Sequence, residues 1–557
     1  MTDPARNAAL WYAADGFDPA KGLNGRRVAG ESYLRGFLRH ADVAEAVLLT
    51  RNEAEAESLR ALAAGLRPGL PLRAVGLGRP AAIAPVSTVF YPSPNYAAEA
   101  WRRAPYGTAA WSLCGITHTT STAAVMEGWL SLRVAPVAEW DAVICTSRAV
   151  QASVRYQLDL IDAHLAAHLS ARPGARPMTP VIPLGIHCDD FAPDAAAGAA
   201  LRDRLGAGAG DVVFATIARL TPHEKFDPGP VFLAMAEAQR RLPPGQRLHV
   251  VFCGVFRDDY SRRVFEATAR VLMPDVGFVL LDGADAGDRK ATLSAADVFL
   301  FAIDNIQETF GLAPLEGMAA GLPVLCTDWD GMRDTVTPDV GFRVTTRALS
   351  PRHLAGEALR YQGGLDSYVQ YCATASALTE VDMGEFVARI LDLATNPGLR
   401  RRMGQAAAVR ARAVYDWAQI VPQMQDLWAE QEARRRAGAA SARRYPAEAL
   451  PVAPSPTALF AGWPSETADP AAHRYIARDL TGRAGLTETL AARDYQGMKR
   501  IFAPPERIAA VLSAVAAAGA AGAGRDTLAT AAGVSPMVAD RVLIWLLKYD
   551  FIRRLPA

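Results

Sequence analysis

Over most of the chain, short unbroken apolar runs alternate with longer stretches in which apolar residues recur at helical spacing. That is the pattern of strands buried on both faces and of the helices that cover them. From residue 10 to about 190 the runs predict strands at Leu10–Ala14, Ala46–Thr50, Ser87–Tyr91, Ala109–Cys114, Ala142–Thr146 and Pro180–Leu184, with a long helix from Ala149 to about Ser170. Pro193 to Asp211, rich in alanine and glycine, reads as a linker. A second series follows, with a strand from Val212 that leads to Arg219 and others at His249–Cys253, Gly277–Leu281 and Val298–Ile303. After the last of these, Leu312, Leu315, Met318, Ala319 and Leu322 recur at helical spacing, Gly321 and Pro323 stop the helix, and Val324–Cys326 starts another strand. In a parallel sheet this order places Gln307 to Gly311 beyond the carboxyl end of a strand, where ligands bind.

Residues 350–380 form a long stretch before helices predicted at Met383–Thr395 and Pro397–Val414, and Tyr415-Asp-Trp417 leads a further helix to about Arg436. Residues 438–504 are rich in alanine and proline, with aromatic anchors at Phe460, Trp463 and Tyr475, and read as a connector that partly packs on the body. The last part predicts a helix at Pro505–Ala518, a short helix ending at Gly533, a Ser535 cap and a helix at Met537–Tyr549. This helix-turn-helix spacing resembles a winged-helix module. The expected domains are therefore 1–200, 201–437, the connector and 505–557.

The chain of 557 residues is 50% hydrophobic, enough for two or three domains with real cores. A formal net charge of +1 argues against a dominant attraction to nucleic acid or anionic lipid. The six cysteines are scattered without a CxxC pair, and most lie in apolar runs, which reads as reduced core thiols. No basic segment leads into an apolar one at MTDPARNAALWYAADG, so no signal peptide is expected. The apolar run Ile508–Gly524 is too short to span a bilayer. The expected location is the cytoplasm, with a peripheral place at the inner face of a membrane left open.

Candidate chemistry gathers on a few loops. Glu308 lies in the loop after Ile303, and Glu316 lies near the start of the next helix. Between them Phe310, Gly311 and Leu312 lead into a helix N-terminus whose unpaired N–H groups favour an anion, and Pro314 fits the first turn. Glu316 alone reads equally well as an acid that complements the helix dipole. Glu308 does not, because a loop acid beside an anion site repels the anion unless it has separate work. Arg219 and Lys225 share a loop at the end of a buried strand. A guanidinium forks onto two oxygens and an ammonium acts as a point charge, so the pair suits a diphosphate; the alternative is a pair of solvated cations with Glu224 as partner. His118, in CGITHTTST, reads as a helix cap, a core partner or a catalyst. Gly30 falls in GLNGRRVAGESYLRGFLRH, read as a glycine-bearing loop that feeds a helix carrying Tyr33, Leu34, Phe37 and Leu38.

Glu308-x7-Glu316, followed by Gly-Met-Ala-Ala-Gly-Leu-Pro-Val, resembles the signature of retaining GT-B glycosyltransferases of family GT4, and the resemblance covers roughly residues 10 to 435. It implies an α/β fold of two Rossmann-like domains facing across a cleft, to which the small C-terminal helical module is added. In this family the first Glu contacts the donor sugar and the second binds the nucleotide's ribose hydroxyls, roles that fall to Glu308 and Glu316. The amides of Phe310, Gly311 and Leu312 would hold phosphate with Arg219 and Lys225. His118 would face the donor from the other lobe, and Gly30 would lie in the first loop, over the donor phosphates and sugar. The implied reaction is hexosyl transfer from a nucleotide diphosphate sugar with retention of configuration. The acceptor is left open among glycan, lipid, small molecule and protein. No metal or other cofactor is expected. Asp328-Trp-Asp330 spells the DxD of metal-dependent GT-A transferases, but it falls where this family has a Gly-Gly loop, with Asp330-Gly331 in its place. Other readings are a GT-B epimerase or phosphorylase, and a nucleic-acid-binding regulator on an inactive transferase body, supported by the helix-turn-helix alone. Against nucleic acid, the second helix offers mainly Arg541 and Lys548, with Asp540 opposing them. Its Val538, Val542, Leu543, Ile544, Trp545, Leu546 and Leu547 exceed one buried stripe, which predicts packing on the body, a partner protein or a second copy.

Overall fold

The apolar runs of each series pair side by side. In the computed structural model, which describes residues 3–12, 17, 25–76, 82–83, 86–225, 227–493 and 503–555, strands β1 (Ala8–Trp11), β2 (Ala46–Thr50), β3 (Leu72–Gly76), β4 (Thr88–Phe90), β5 (Ser112–Ile116) and β6 (Ala142–Ile144) form a six-stranded sheet in the order β3-β2-β1-β4-β5-β6. Strands β7 (Val212–Leu220), β8 (Leu248–Phe256), β9 (Gly277–Asp282), β10 (Val298–Phe301), β11 (Val324–Thr327) and β12 (Gly341–Val344) form a second, in the order β12-β11-β10-β7-β8-β9. All pairings in both are parallel, with Leu10 opposite Leu48 and Phe301 opposite Cys326. Helices must then cover both faces, which is why β2, β4, β6, β10 and β11 are buried at every position. Two Rossmann-like lobes result, as expected.

The departures have physical causes. β3 and β12 escape the apolar pattern because they are edge strands, partly open to solvent. Pro180–Leu184 makes only an isolated bridge, Val181 to Cys145, since Pro180 and Pro183 lack the N–H a ladder needs. Residues 193–211 are no simple linker. Asp194 accepts from the N–H groups of Ala196 and Ala197 and caps the helix Ala195–Leu205, whose alanines favour helix. There a Cβ on Gly198 would come within 2.6 Å of the Ser294 carbonyl, so the glycine lets this helix lie close on Ala286–Ala295.

The helix Trp417–Ala437 crosses back to the first lobe. Gln431 Nε2 donates to the carbonyls of Leu113 and Trp140, both at 2.9 Å, and Trp417 Nε1 donates to Ser32 Oγ at 2.8 Å. Inside the first lobe, Arg103 and Asp141 form a fully buried pair at 2.7 and 2.8 Å, and Asp141 also accepts from the N–H groups of Leu113 and Ala138. Strands β13 (Thr346–Ala348) and β14 (Thr379–Val381) pair antiparallel and frame the helices Ala355–Gln362 and Tyr368–Ala377.

These elements belong to one compact unit, Met1–Val452; a second spans Ala453–Ala557. The second begins well before residue 505. Its sheet is built on β15 (Arg474–Ala477), antiparallel to β16 (Ala523–Gly524) and β17 (Ile552–Leu555). Tyr475 of β15 shares a core with Ile508, Val515, Leu528, Val542 and Leu546. The helices Arg525–Ala531 and Pro536–Lys548 meet at 105°, with Ser535 capping the second. Of the apolar residues of that second helix, Val542, Leu543, Trp545 and Leu546 are buried in this core and Val538 and Leu547 pack half-buried against it, while Met537 remains 73% exposed. Among the described residues one strand, β17, follows this helix. No single helix among the described residues is long and apolar enough to cross a membrane.

Candidate active site

The order of the second sheet reverses between β7 and β10, and there two loops meet beyond the strand ends. β7 delivers Arg219 and then Lys225; β10 delivers Asp304, Asn305 and Glu308. Asn305, fully buried, joins them. Its Oδ1 accepts from Gln307 N–H (3.0 Å), its Nδ2 donates to the His223 carbonyl (3.0 Å), and its own carbonyl accepts from the Trp329 indole (3.1 Å). In the sequence Asn305 is signalled only as an Asx-turn residue in the loop after β10.

Glu308 is held on both sides. Oε1 accepts from Gly311 N–H at 2.9 Å and Oε2 pairs with Lys225. Gly311 has φ +83°, and a Cβ there would come within 2.8 Å of Met332 Sδ, so the turn that aims its N–H at Glu308 needs glycine. Burial opposes the charge on Glu308, yet the Lys225 ammonium and the N–H groups of Gly311 and Phe310 hold its carboxyl below the usual value. Arg219 pairs with Glu224 at 3.1 Å, and Glu224 also pairs with Arg257. The Arg219–Glu224 contact is what the solvated-cation alternative anticipates; Lys225 reaching Glu308 is not. Glu316, half-buried in the helix Leu312–Ala319, has its carboxyl pushed up to about 7 by burial, against the pull of Arg289 and Lys225.

Two adjoining cavities open on these groups. One, of about 360 Å³, is lined by His118 and Thr119 from the first lobe and by Arg219, Lys225, Glu308, Phe310, Gly311 and Leu312 from the second. The other, of about 940 Å³, shares Arg219 and Leu312 and continues to Glu316, Arg257 and Arg289, with Glu31 and Arg35 of the first lobe on its wall. The sequence-derived residues thus converge, with Gly30 as the exception. Gly30 lies inside the helix Gly25–His40, not in a loop, and borders a small apolar cavity beside His118, Tyr33 and Trp417. The neighbouring Ala29 lines the 360 Å³ cavity instead. Residues 18–24, ahead of this helix, lie outside the described residues.

Across the cleft, the turn after β6 docks on the second lobe. Thr146 Oγ1 donates to the Thr309 carbonyl (3.2 Å), Ser147 Oγ to Asp330 Oδ1 (3.0 Å) and Arg148 N–H to Asp334 Oδ2 (2.7 Å). Asp330 has φ +38°, and burial pushes its carboxyl up to about 7. Gly331 lets this turn touch the site loop, since a Cβ would fall 2.2 Å from the Phe310 carbonyl. Asp328 pairs with Arg343 at 3.2 Å. Among the described residues no group of three or more His, Cys, Asp or Glu is placed to hold a metal ion.

Solved structures similar to this chain include Anabaena Alr3699/HepE in complex with UDP, at 16% identity and a TM-score of 0.48, covering 76% of this chain and 99% of that one. Sucrose-phosphate synthase from Thermosynechococcus elongatus is 17% identical, with a TM-score of 0.46 and coverage of 77% and 100%. A glycosyltransferase from Rickettsia africae is 13% identical, with a TM-score of 0.44 and coverage of 76% and 98%. No curated protein matches the chain. Residues 199–362, the stretch that carries Arg219, Lys225, Glu308 and Glu316, match the family Glycosyl transferases group 1.

Proposed function

We propose that the protein transfers a sugar from a nucleotide diphosphate sugar to an acceptor with retention of anomeric configuration, in the manner of the GT4 enzymes its signature resembles. The observation that carries this reading is the junction of Lys225, Glu308 and the Gly311 N–H on one cavity that His118 faces from the other lobe. A diphosphate entering there meets Arg219, Lys225 and the start of the helix Leu312–Ala319, the Gly311 N–H being already given to Glu308. These neutralise the charge that builds on the leaving group, and as fixed donors they need little reorganisation when the bond breaks. The two cations do the work a metal does elsewhere. Glu316, in the adjoining cavity, accepts from the ribose hydroxyls. Glu308 stays ionised beside the sugar, because Lys225 bridges it to the phosphate. Held by Lys225 and Gly311, its carboxylate is tied down rather than free to attack carbon. The reading therefore favours substitution on one face of the sugar, with the leaving phosphate helping to deprotonate the acceptor.

The test is a thermal-shift screen of nucleotide sugars, since a bound donor raises stability by RT ln(1 + [L]/Kd). NMR of the product anomer made from the selected donor follows. Release of nucleoside diphosphate with a retained anomer is the expected result. An inverted product refutes retention, and wild-type rates in both Glu308→Ala and Glu316→Ala refute the site.

A further inference from the structure

The long stretch 350–381 stands between the two lobes beside the site. Its helices Ala355–Gln362 and Tyr368–Ala377 pack through Tyr361, whose ring lies 5.8 Å from that of Tyr368 and 5.6 Å from that of Tyr371. On the second-lobe side, Ser376 Oγ donates to Oδ1 of the buried Asp304 at 2.6 Å, shortly before Glu308 in the chain. On the other side, two tyrosine hydroxyls reach the first lobe. Tyr361 OH accepts from the N–H of Ala123 at 2.9 Å, and Tyr368 OH lies 2.8 Å from Ser121 Oγ. Ala123 opens the helix Ala123–Val134, whose N-cap, Thr122, makes no side-chain cap bond. Tyr361 thus satisfies a helix N–H that the local sequence leaves open. The loop that starts at His118 is therefore held at Ser121 and Ala123 by the inserted stretch. At its other end Thr117 Oγ1 accepts from Thr146 N–H (3.3 Å), and Thr146 Oγ1 donates to the Thr309 carbonyl, next to Glu308.

We propose that residues 355–381 are a clasp that fixes the His118 loop against the Glu308 loop, with Tyr361 and Tyr368 as its positioning residues. His118 and Glu308 stand on different lobes, and non-covalent contacts across the cleft help set the separation between them. A loop bonded at both ends samples fewer positions, and small misplacements of reacting groups are costly to rate. The expected loss is modest, because a neutral hydroxyl hydrogen bond is worth a factor of about two to ten. What the clasp does for turnover rests on the transferase reading; the clasp itself does not.

The experiment uses the full chain with Tyr361→Phe and Tyr368→Phe, which keep the rings and remove the hydroxyls. Amide hydrogen exchange read by mass spectrometry is expected to quicken about threefold to tenfold across residues 117–126, with 148–169 unchanged. Unchanged exchange in both variants overturns the clasp whatever the activity. For turnover, each variant is expected to lower kcat of sugar transfer about threefold to tenfold while donor Kd stays within about twofold. Adding Ser121→Ala to Tyr368→Phe is expected to cause no further loss, since the first change already removes the hydroxyl that Ser121 meets. Additive losses, or a weakened donor Kd with kcat intact, overturn the positioning role. A wild type that turns over no donor fails the proposed function, and exchange still decides the clasp.

Discussion

Glu316 offers the sharpest test, because one carboxylate is predicted to govern donor affinity and stability in opposite directions. Burial raises its carboxyl from 4.5 to about 7. The folded protein therefore holds a proton that the unfolded chain has released, and stability falls as pH rises from 4.5 to 7. Each pH unit of that interval is about 1.4 kcal/mol, so the ionised form costs the fold about 1 kcal/mol at pH 5 and about 3 kcal/mol at pH 8. Glu316→Gln, which mimics the protonated form, is expected to be more stable than wild type by these amounts in urea melts. Donor binding runs the other way. If the ribose hydroxyls need the carboxylate, the ionised fraction falls from about nine-tenths at pH 8 to about one-tenth at pH 6, and affinity drops about tenfold. The assay is calorimetric titration with the nucleotide sugar that gives the largest thermal shift, at pH 6, 7 and 8. Glu316→Gln should bind weakly and without this pH dependence. Wild-type affinity that is flat over this range, or a Gln variant that binds as well as wild type at pH 8, refutes the assignment.

Asp141→Ala leaves Arg103 buried without its partner, and a denaturant melt should show a loss of about 3–5 kcal/mol; a loss under about 1 kcal/mol would mean the pair is solvated in solution. Gly311→Ala forces a side chain into the left-handed region and against Met332, so a fall in stability of about 1–3 kcal/mol with weakened donor binding is expected, and a neutral result would show the loop can rebuild. Arg219→Ala and Lys225→Ala should both cut turnover, but Lys225→Ala should also lower the melting temperature measurably, because Glu308 is only 11% exposed and loses its counter-charge. Chelators should leave turnover unchanged, and a preparation silenced by EDTA and restored by manganese would move the argument to Asp328 and Asp330. A chain cut after Val452 should keep donor-stimulated release of nucleoside diphosphate, assayed by coupled nucleotide detection, because the site residues all lie in the first unit.

The sequence alone determined the two parallel sheets, since fully buried strands must be unbroken apolar runs and such runs are visible wherever they occur. It also determined the strand-loop-helix around Glu308 and Glu316 and the cations at the end of β7, because apolar runs and helix stops are local signals. The edge strands β3 and β12 were weaker signals for the same reason that they are edges. Gly30 was misplaced because a glycine within a helical pattern looks like one in a loop. Tertiary structure alone decided who pairs with whom. Lys225 meets Glu308 because β7 and β10 are neighbours at the point where strand order reverses, although they lie 83 residues apart. Tyr361 reaches Ala123 across 238 residues, and β15 joins the C-terminal sheet from within an apparent connector. Periodicity reports which face of an element is buried; it carries no record of the surface that buries it, and contacts between lobes are made of such surfaces.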